Sequence, residues 1–381
     1  MSDGFGRTRR RFLAATGAVT ASGLAGCTGL LGGNGGGEKP ALADFRGSGP
    51  LVSDRPAPGG TSIEDLPDLE GELNVYLGGG EGGRYENLLE LFNRYYDGFE
   101  ATWSVQPSSQ LAKQIEQENA NDTVRAADVF WSVDAGSLAY VADVGATTQL
   151  SSEARSPVPD AFKTDQWVGV AGRARAIPYN TEQFAESDVP DDVATFATDD
   201  RFSGAMGWAP TYGAFHSFVT AMRLQRGEET TRQWLEDMVT QGVARYDNEF
   251  LVSESVANGE IGAGFANHYY AIRVLARRDD APIELAFTKN DAGALVNVSG
   301  ASVLGGSDRQ DLADLFVRHL LSAEAQEFIA TRGFAYPMIS EVEPVGPLPT
   351  IDELEPPEID LQELSNVQPT LEMLRDVGIL S

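Results

Sequence analysis

Leu73-Asn74-Val75-Tyr76-Leu77 is a short apolar run that passes directly into Gly78-Gly79-Gly80. Its length and its bounding glycines are those of a buried strand. Beyond the glycines, Leu88, Leu91, Phe92 and Tyr95 recur at i, i+3, i+4 and i+7, the spacing of one helix face. A strand at Ala101 to Val105, a helix at Gln110 to Glu118 and a strand at Asp128 to Ser132 continue the alternation. Strands alternating with helices at this spacing predict βαβ units and parallel sheets, an α/β fold.

The stretch Trp167 to Tyr179 is apolar and β-rich apart from Arg173 and Arg175, and a second alternating set follows it. Gly204 to Ala209 reads as a strand, and Phe215, Phe218, Val219 and Met222 form one helix face. Ile261 to Ala266 reads as a strand, Tyr269 to Arg277 as a helix and Ile283 to Phe287 as a strand. Ala294 to Leu304 is a long extended run, and Leu312, Leu315, Phe316 and Leu320 mark a further helix. Two long extended segments bracketing a second α/β set are compatible with a chain that passes twice between two lobes. No solenoid-type repeat is present.

The N-terminus reads Arg9-Arg10-Arg11-Phe12-Leu13, then a mildly apolar run ending in Leu24-Ala25-Gly26-Cys27. Paired arginines before such a run form the pattern of a twin-arginine export signal over residues 1–26. The run from Leu13 to Gly26 is 14 residues, whereas a membrane-spanning helix needs about 20 strongly apolar ones. Cys27 stands where a lipobox places its acceptor and is the single cysteine. The expected mature protein is therefore lipidated at Cys27 and tethered to the outer face of the cell membrane, with two lipid chains needed for stable anchoring. Internal disulfides are excluded. Residues 27–71, rich in Gly, Pro, Ser and Asp, read as a flexible tether that orders near its end.

About 350 residues follow the signal, enough for two domains with sizeable cores. The formal charge is −29, and removal of residues 1–26, with four arginines and one aspartate, brings it near −32. No basic block remains after the signal, which argues against nucleic acid or anionic lipid as partners. Such charge self-repels at low salt, but at molar salt the screening length falls to about 3 Å. The composition resembles that of halophilic archaea and describes habitat rather than ligand.

Asn267-His268-Tyr269-Tyr270 follows a strand and begins a helix. Adjacent helical side chains lie about 100° apart, so both phenols can converge on one ion beside the first turn. In a strand they would face opposite ways. A phenol ionises near pH 10, and a hard trivalent cation such as ferric iron prefers oxygen donors and can deprotonate its ligand. Core packing, or stacking on an organic ligand, is the alternative for such a pair. Trp208 to Phe215 reads as strand end, turn and helix start; helix N-termini receive anions, Thr211 is the expected N-cap, and Tyr212 stands at the mouth. In Gly172-Arg173-Ala174-Arg175 the two arginines share a strand face and can hold an oxyanion. A surface ion pair is the other reading of each. His319 reads as a structural core histidine. No His-Glu-x-x-His, Gly-x-Ser-x-Gly, Walker A or cysteine-pair motif occurs, so an enzyme is not expected.

From Gly71 to Leu380 the chain resembles the ferric-ion-binding proteins of ABC importers, in the type II periplasmic-binding-protein superfamily. The resemblance rests on segments in order: Leu73-Asn74-Val75-Tyr76, Ala127-Asp128-Val129-Phe130, Ala171-Gly172-Arg173-Ala174-Arg175, Tyr179-Asn180-Thr181, Pro210-Thr211-x-Gly213-Ala214-Phe215, Asn267-x-Tyr269-Tyr270, Asp291-x-Gly293-Ala294-Leu295-Val296 and Ala335-Tyr336-Pro337. It implies a two-lobed fold with a hinged cleft, the N-terminal lobe comprising 72–173 plus 300–350 and the C-terminal lobe 174–299 plus 351–381. It implies Tyr269 and Tyr270 as ferric ligands, Arg173 as contact for a synergistic anion, and Asn248 and Asn267 as polar residues lining the cleft. Partners would be an ABC permease with its ATPase, and the binding protein would be a monomer.

The departures from the family pattern are informative. Where many relatives place a histidine after the first strand, this chain has Gly80 or Glu81; where some place a glutamate, it has Val133 with Asp134 next door. Tyr212 stands where those relatives carry a small residue, and a branch of the family uses a third tyrosine there. Three phenolates would balance Fe³⁺. The remaining coordination positions would take carbonate or a similar anion, held by Arg173 and the helix start at Thr211, Gly213 and Ala214. The rival ligand is an organic or anionic solute, such as thiamine or a phosphorylated compound.

Overall fold

In the computed structural model residues 39–79, 83–121 and 126–381 are described. The expected signal, Cys27 and Glu81 lie outside them. Strand β1 (Gly71–Gly78) pairs in parallel with β2 (Phe99–Gln106), Leu73 opposite Ala101, across helix α1 (Arg84–Tyr95). Leu88, Leu91, Phe92 and Tyr95 are all buried, as their spacing predicts. Helix α2 (Ser108–Ala120) leads to β3 (Val129–Ser132), which takes the other edge of β1. Helices α3 (Ala135–Asp143) and α4 (Ser152–Arg155) follow.

Strand β4 (Val168–Asn180) then runs for 13 residues and belongs to both halves of the molecule. The second half contains β5 (Met206–Trp208), α5 (Gly213–Arg226), α6 (Glu228–Thr240), β6 (Ala244–Arg245) and α7 (Glu249–Ala257). It continues with β7 (Ala263–Gly264), β8 (Ala266–Asn267), α8 (His268–Leu275) and β9 (Ile283–Ala286). The chain returns along β10 (Val296–Val303), antiparallel to β3 and β4. It adds α9 (Gln310–Leu320), α10 (Ala323–Phe328) and β11 (Tyr336–Pro337), and ends with α11 (Gln368–Asp376). The strand order β2-β1-β3-β10-β4 passes through β4 into β7-β5-β6, with β8, β9 and β11 also on β4.

Two large apolar cores hang on this shared strand, and a smaller third cluster of Ala209, Val252, Val256, Ile261, Ala271 and Val274 lies in the second half. The first includes Leu73, Phe92, Val129, Val168, Phe316 and Phe328; the second includes Ile177, Trp208, Phe218, Trp234 and Phe265. Membership changes between Ala174 and Ile177 on β4 and between Leu295 and Val296 on the return. Val296 and Val298 already pack in the first core, ahead of the 299/300 boundary read from the sequence. A third passage follows Leu354, which lies in the first core, and Leu361 packs against both. Each crossing is a single extended strand or link, the construction from which hinges are made.

The tether expected to extend to residue 71 ends sooner. From Lys39 the chain packs on the first core through Phe45, Val52, Ile63 and Leu69. Ser62 Oγ and the Ile63 N–H donate to Glu324 at 2.8 and 2.9 Å, and Arg55 Nε reaches Glu327 at 3.0 and 3.1 Å. These anchors have no helical or strand period, so polar Gly- and Pro-rich sequence conceals them. The strand expected over Ile261 to Ala266 is split at Phe265 into β7 and β8, which pair with different parts of β4. No helix among the described residues is long and apolar enough to cross a membrane.

Candidate metal-binding cleft

A cavity of about 470 Å³ opens beside the crossing strands, lined from one side by Gly79, Ser108, Asp134 and Arg173 and from the other by Tyr212 and Tyr269. Register places the two arginines. Arg173 lies opposite Asn297 of β10 and Arg175 opposite Asn267 of β8, and both line the cavity. Arg173 Nη2 donates to the Val133 carbonyl. Arg175 makes no surface ion pair, which corrects that reading. It is buried against Glu249, itself fully buried at the start of α7.

Helix α5 begins after the turn that ends β5, and its N-cap is Tyr212, in extended conformation with no side-chain cap bond. Thr211, the expected cap, is one residue early, exposed and not part of the cavity lining. The first-turn residues Gly213 and Ala214 do line it. Helix α8 starts at His268, so Tyr269 and Tyr270 occupy its first turn. Their ring centroids are 4.4 Å apart. Tyr270 Oη and Tyr212 Oη share a short hydrogen bond, which joins two residues 58 apart in sequence. Arg273, one turn on, lies 4.5 Å from the Tyr269 ring centroid and 5.0 Å from that of Tyr270. Burial first, then the neighbouring phenols, push the ionisation of Tyr270 well above the usual phenol range, so the hydroxyl is protonated at neutral pH.

The remaining expected residues divide. Asn267 lines the cavity, and its Nδ2 lies 3.3 Å from Tyr269 Oη. Asp134 lines it too, but both its oxygens cap α3, accepting from Ser137 N at 2.7 Å and Ser137 Oγ at 3.0 Å. Asn248 does not line it: Oδ1 accepts from Leu251 N at 3.0 Å and caps α7. His268 faces the hinge, with Nε2 2.8 Å from the Phe334 carbonyl and Nδ1 3.2 Å from Ala174 N. Burial pushes its ionisation down to about 4. His319 packs in the first core with Nε2 2.9 Å from Tyr96 Oη, a structural role as its spacing predicts. Among the described residues no group of three or more His, Cys, Asp or Glu could hold a metal ion. Sequence reasoning missed Glu249, which is one of 57 acidic residues and carries no local signal.

Residues 79–327 match the family described as bacterial extracellular solute-binding protein. The major ferric iron-binding protein of Neisseria meningitidis serogroup B is 33% identical over 279 residues, covering 71% of this chain and 82% of that protein. Iron-bound HitA from Pseudomonas aeruginosa shares the fold with a TM-score of 0.69 and 29% identity, over 81% of this chain and 99% of that one. The Trichodesmium protein (IdiA) (FutA), in complex with iron and citrate ligands, superposes with a TM-score of 0.66 at 22% identity, over 81% of this chain and 99% of that one.

Proposed function

This chain belongs to the bacterial extracellular solute-binding protein family, and from that premise we propose that it captures ferric iron outside the cell for an ABC importer, through Tyr212, Tyr269 and Tyr270. The carrying observation is the meeting of phenols: the Tyr212 and Tyr270 hydroxyls are hydrogen-bonded, and the Tyr269 ring lies tilted against that of Tyr270. Two phenolates at that separation would repel, so the arrangement calls for a proton or a cation between them. A hard trivalent ion supplies the charge that three tyrosinates balance. Carbonate or a similar anion completes the coordination, held by Arg173 and the N-terminal N–H groups of α5, which carry partial positive charge. The iron-binding relatives support the same reading.

Because burial and its neighbours keep Tyr270 protonated in the free protein, loading releases a proton. Affinity therefore rises with pH, and acidification discharges the ion. The protein acts as a monomer at high salt, anchored by lipid on Cys27 after twin-arginine export, and hands its cargo to the permease.

The test is absorbance after addition of ferric iron and carbonate in high salt. Loaded protein shows a visible tyrosinate-to-iron charge-transfer band, and lowering the pH bleaches it. A colourless protein sinks the coordination scheme and favours a solute that the tyrosines stack upon.

A further inference from the structure

We propose that Glu249 is a positioning residue for the iron site, acting through Arg175 and Asn267 to aim a hydrogen bond at the ligand oxygen of Tyr269; the inference rests on the function proposed above. Glu249 is the first residue of α7, fully buried. A buried carboxylate is stable only with its charge compensated and its oxygens occupied. Oε1 accepts from Arg175 Nη1, and Oε2 accepts from the backbone N–H of Asn267 at 2.8 Å. One carboxylate thus grips both the arginine of β4 and the residue that caps the tyrosine helix.

That grip decides how the Asn267 amide is turned. Arg175 is donor-only, and its Nη1 lies 3.4 Å from one amide atom of Asn267. The atom facing the guanidinium must be Oδ1, since a second donor there would meet a donor. The amide nitrogen is thereby forced to the other side, where Tyr269 Oη lies 3.3 Å away. Orientation of an amide is set by its neighbours' chemistry, and here the chain of constraint runs Glu249, Arg175, Asn267, Tyr269. The split between β7 and β8 makes this possible, because it sets Asn267 directly opposite Arg175.

An N–H directed at a phenolate oxygen stabilises its negative charge and lowers the energy of the electrons it shares with the metal. Charge transfer from that oxygen then requires more energy. Loss of the bond should move the band to longer wavelength and speed iron release. Partners that orient metal ligands typically change affinity about 10- to 100-fold.

The experiment loads wild-type protein, Glu249→Gln and Asn267→Leu with ferric iron and carbonate, then records the band maximum and the rate of iron loss to a chelator. Both variants are expected to absorb at longer wavelength and to lose iron about 10- to 100-fold faster. Glu249→Gln strands the Arg175 charge and can fail to fold. The pair variant Glu249→Leu/Arg175→Met removes both charges, a replacement buried pairs tolerate, and should give the same shift. Adding Asn267→Leu to the pair variant should shift the band no further. If wild type develops the band while all folded variants keep its maximum and release rate, the positioning role is overturned and the iron reading stands. If wild type itself never colours, the iron reading falls first.

Discussion

Asp134 lines the first-lobe wall of the cleft and Glu249 stands behind the second-lobe wall, and the two acids are held in opposite ways. Asp134 uses both oxygens on Ser137 at the start of its own helix, a local arrangement contained within four residues. Glu249 joins a strand, a helix cap and, through Arg175, the turn that carries the phenols. Besides Arg173, the first wall offers Gly79 after β1 and the serines Ser108, Ser109 and Ser137 in the first turns of α2 and α3. The tyrosines of the cavity lining, Tyr212 and Tyr269, thus both stand on the second wall.

That contrast can be broken in several places. The largest effect is expected from Tyr269→Phe or Tyr270→Phe, each of which should abolish the charge-transfer band of iron-loaded protein. Tyr212→Phe should weaken or shift it. Next, Glu249→Leu alone strands the buried Arg175 charge and should cost about 3–5 kcal/mol, read as a lower urea midpoint. Acid sharpens the comparison from the first lobe. Burial lowers the ionisation of His319 to about 4, so the folded state favours the neutral ring. Its contribution is complete above about pH 6.5, the ordinary histidine value, and is lost as pH falls from there towards 4. His319→Gln should flatten that part of the stability–pH curve relative to wild type. The smallest effect belongs to Asp134→Ala, which removes a helix cap worth about 1 kcal/mol and should leave the band maximum where it was.

The sequence was most transparent where one face of an element is apolar. Leu88, Leu91, Phe92 and Tyr95 in α1, and Phe215, Phe218, Val219 and Met222 in α5, are buried as their spacing predicts. Helix α6 has the same spacing in Thr231, Trp234, Leu235 and Met238, but a threonine opening the series disguised it. Helix α7 buries Glu249, Ser253 and Ser255 together with Val252 and Val256, so it has no apolar face to read. For the site, the Tyr269-Tyr270 pair was visible because helix position alone brings neighbours together. The meeting of Tyr212 with Tyr270 joins residues 58 apart in sequence, which no local pattern encodes, and the capping preference of Thr211 is overridden by the turn that puts Tyr212 at the N-cap. Asn248 carried a family expectation, and its side chain is instead occupied by Leu251 N.

The segment from Lys39 to Leu69 has a mechanical consequence. Arg55 on Glu327 and Ser62 with Ile63 on Glu324 fasten it to α10, in the lobe that lacks the phenols. Tension arriving along the chain upstream of Lys39 is therefore borne by the first lobe alone. The crossing strands carry none of it, and the lobe that bears Tyr212, Tyr269 and Tyr270 is left unloaded.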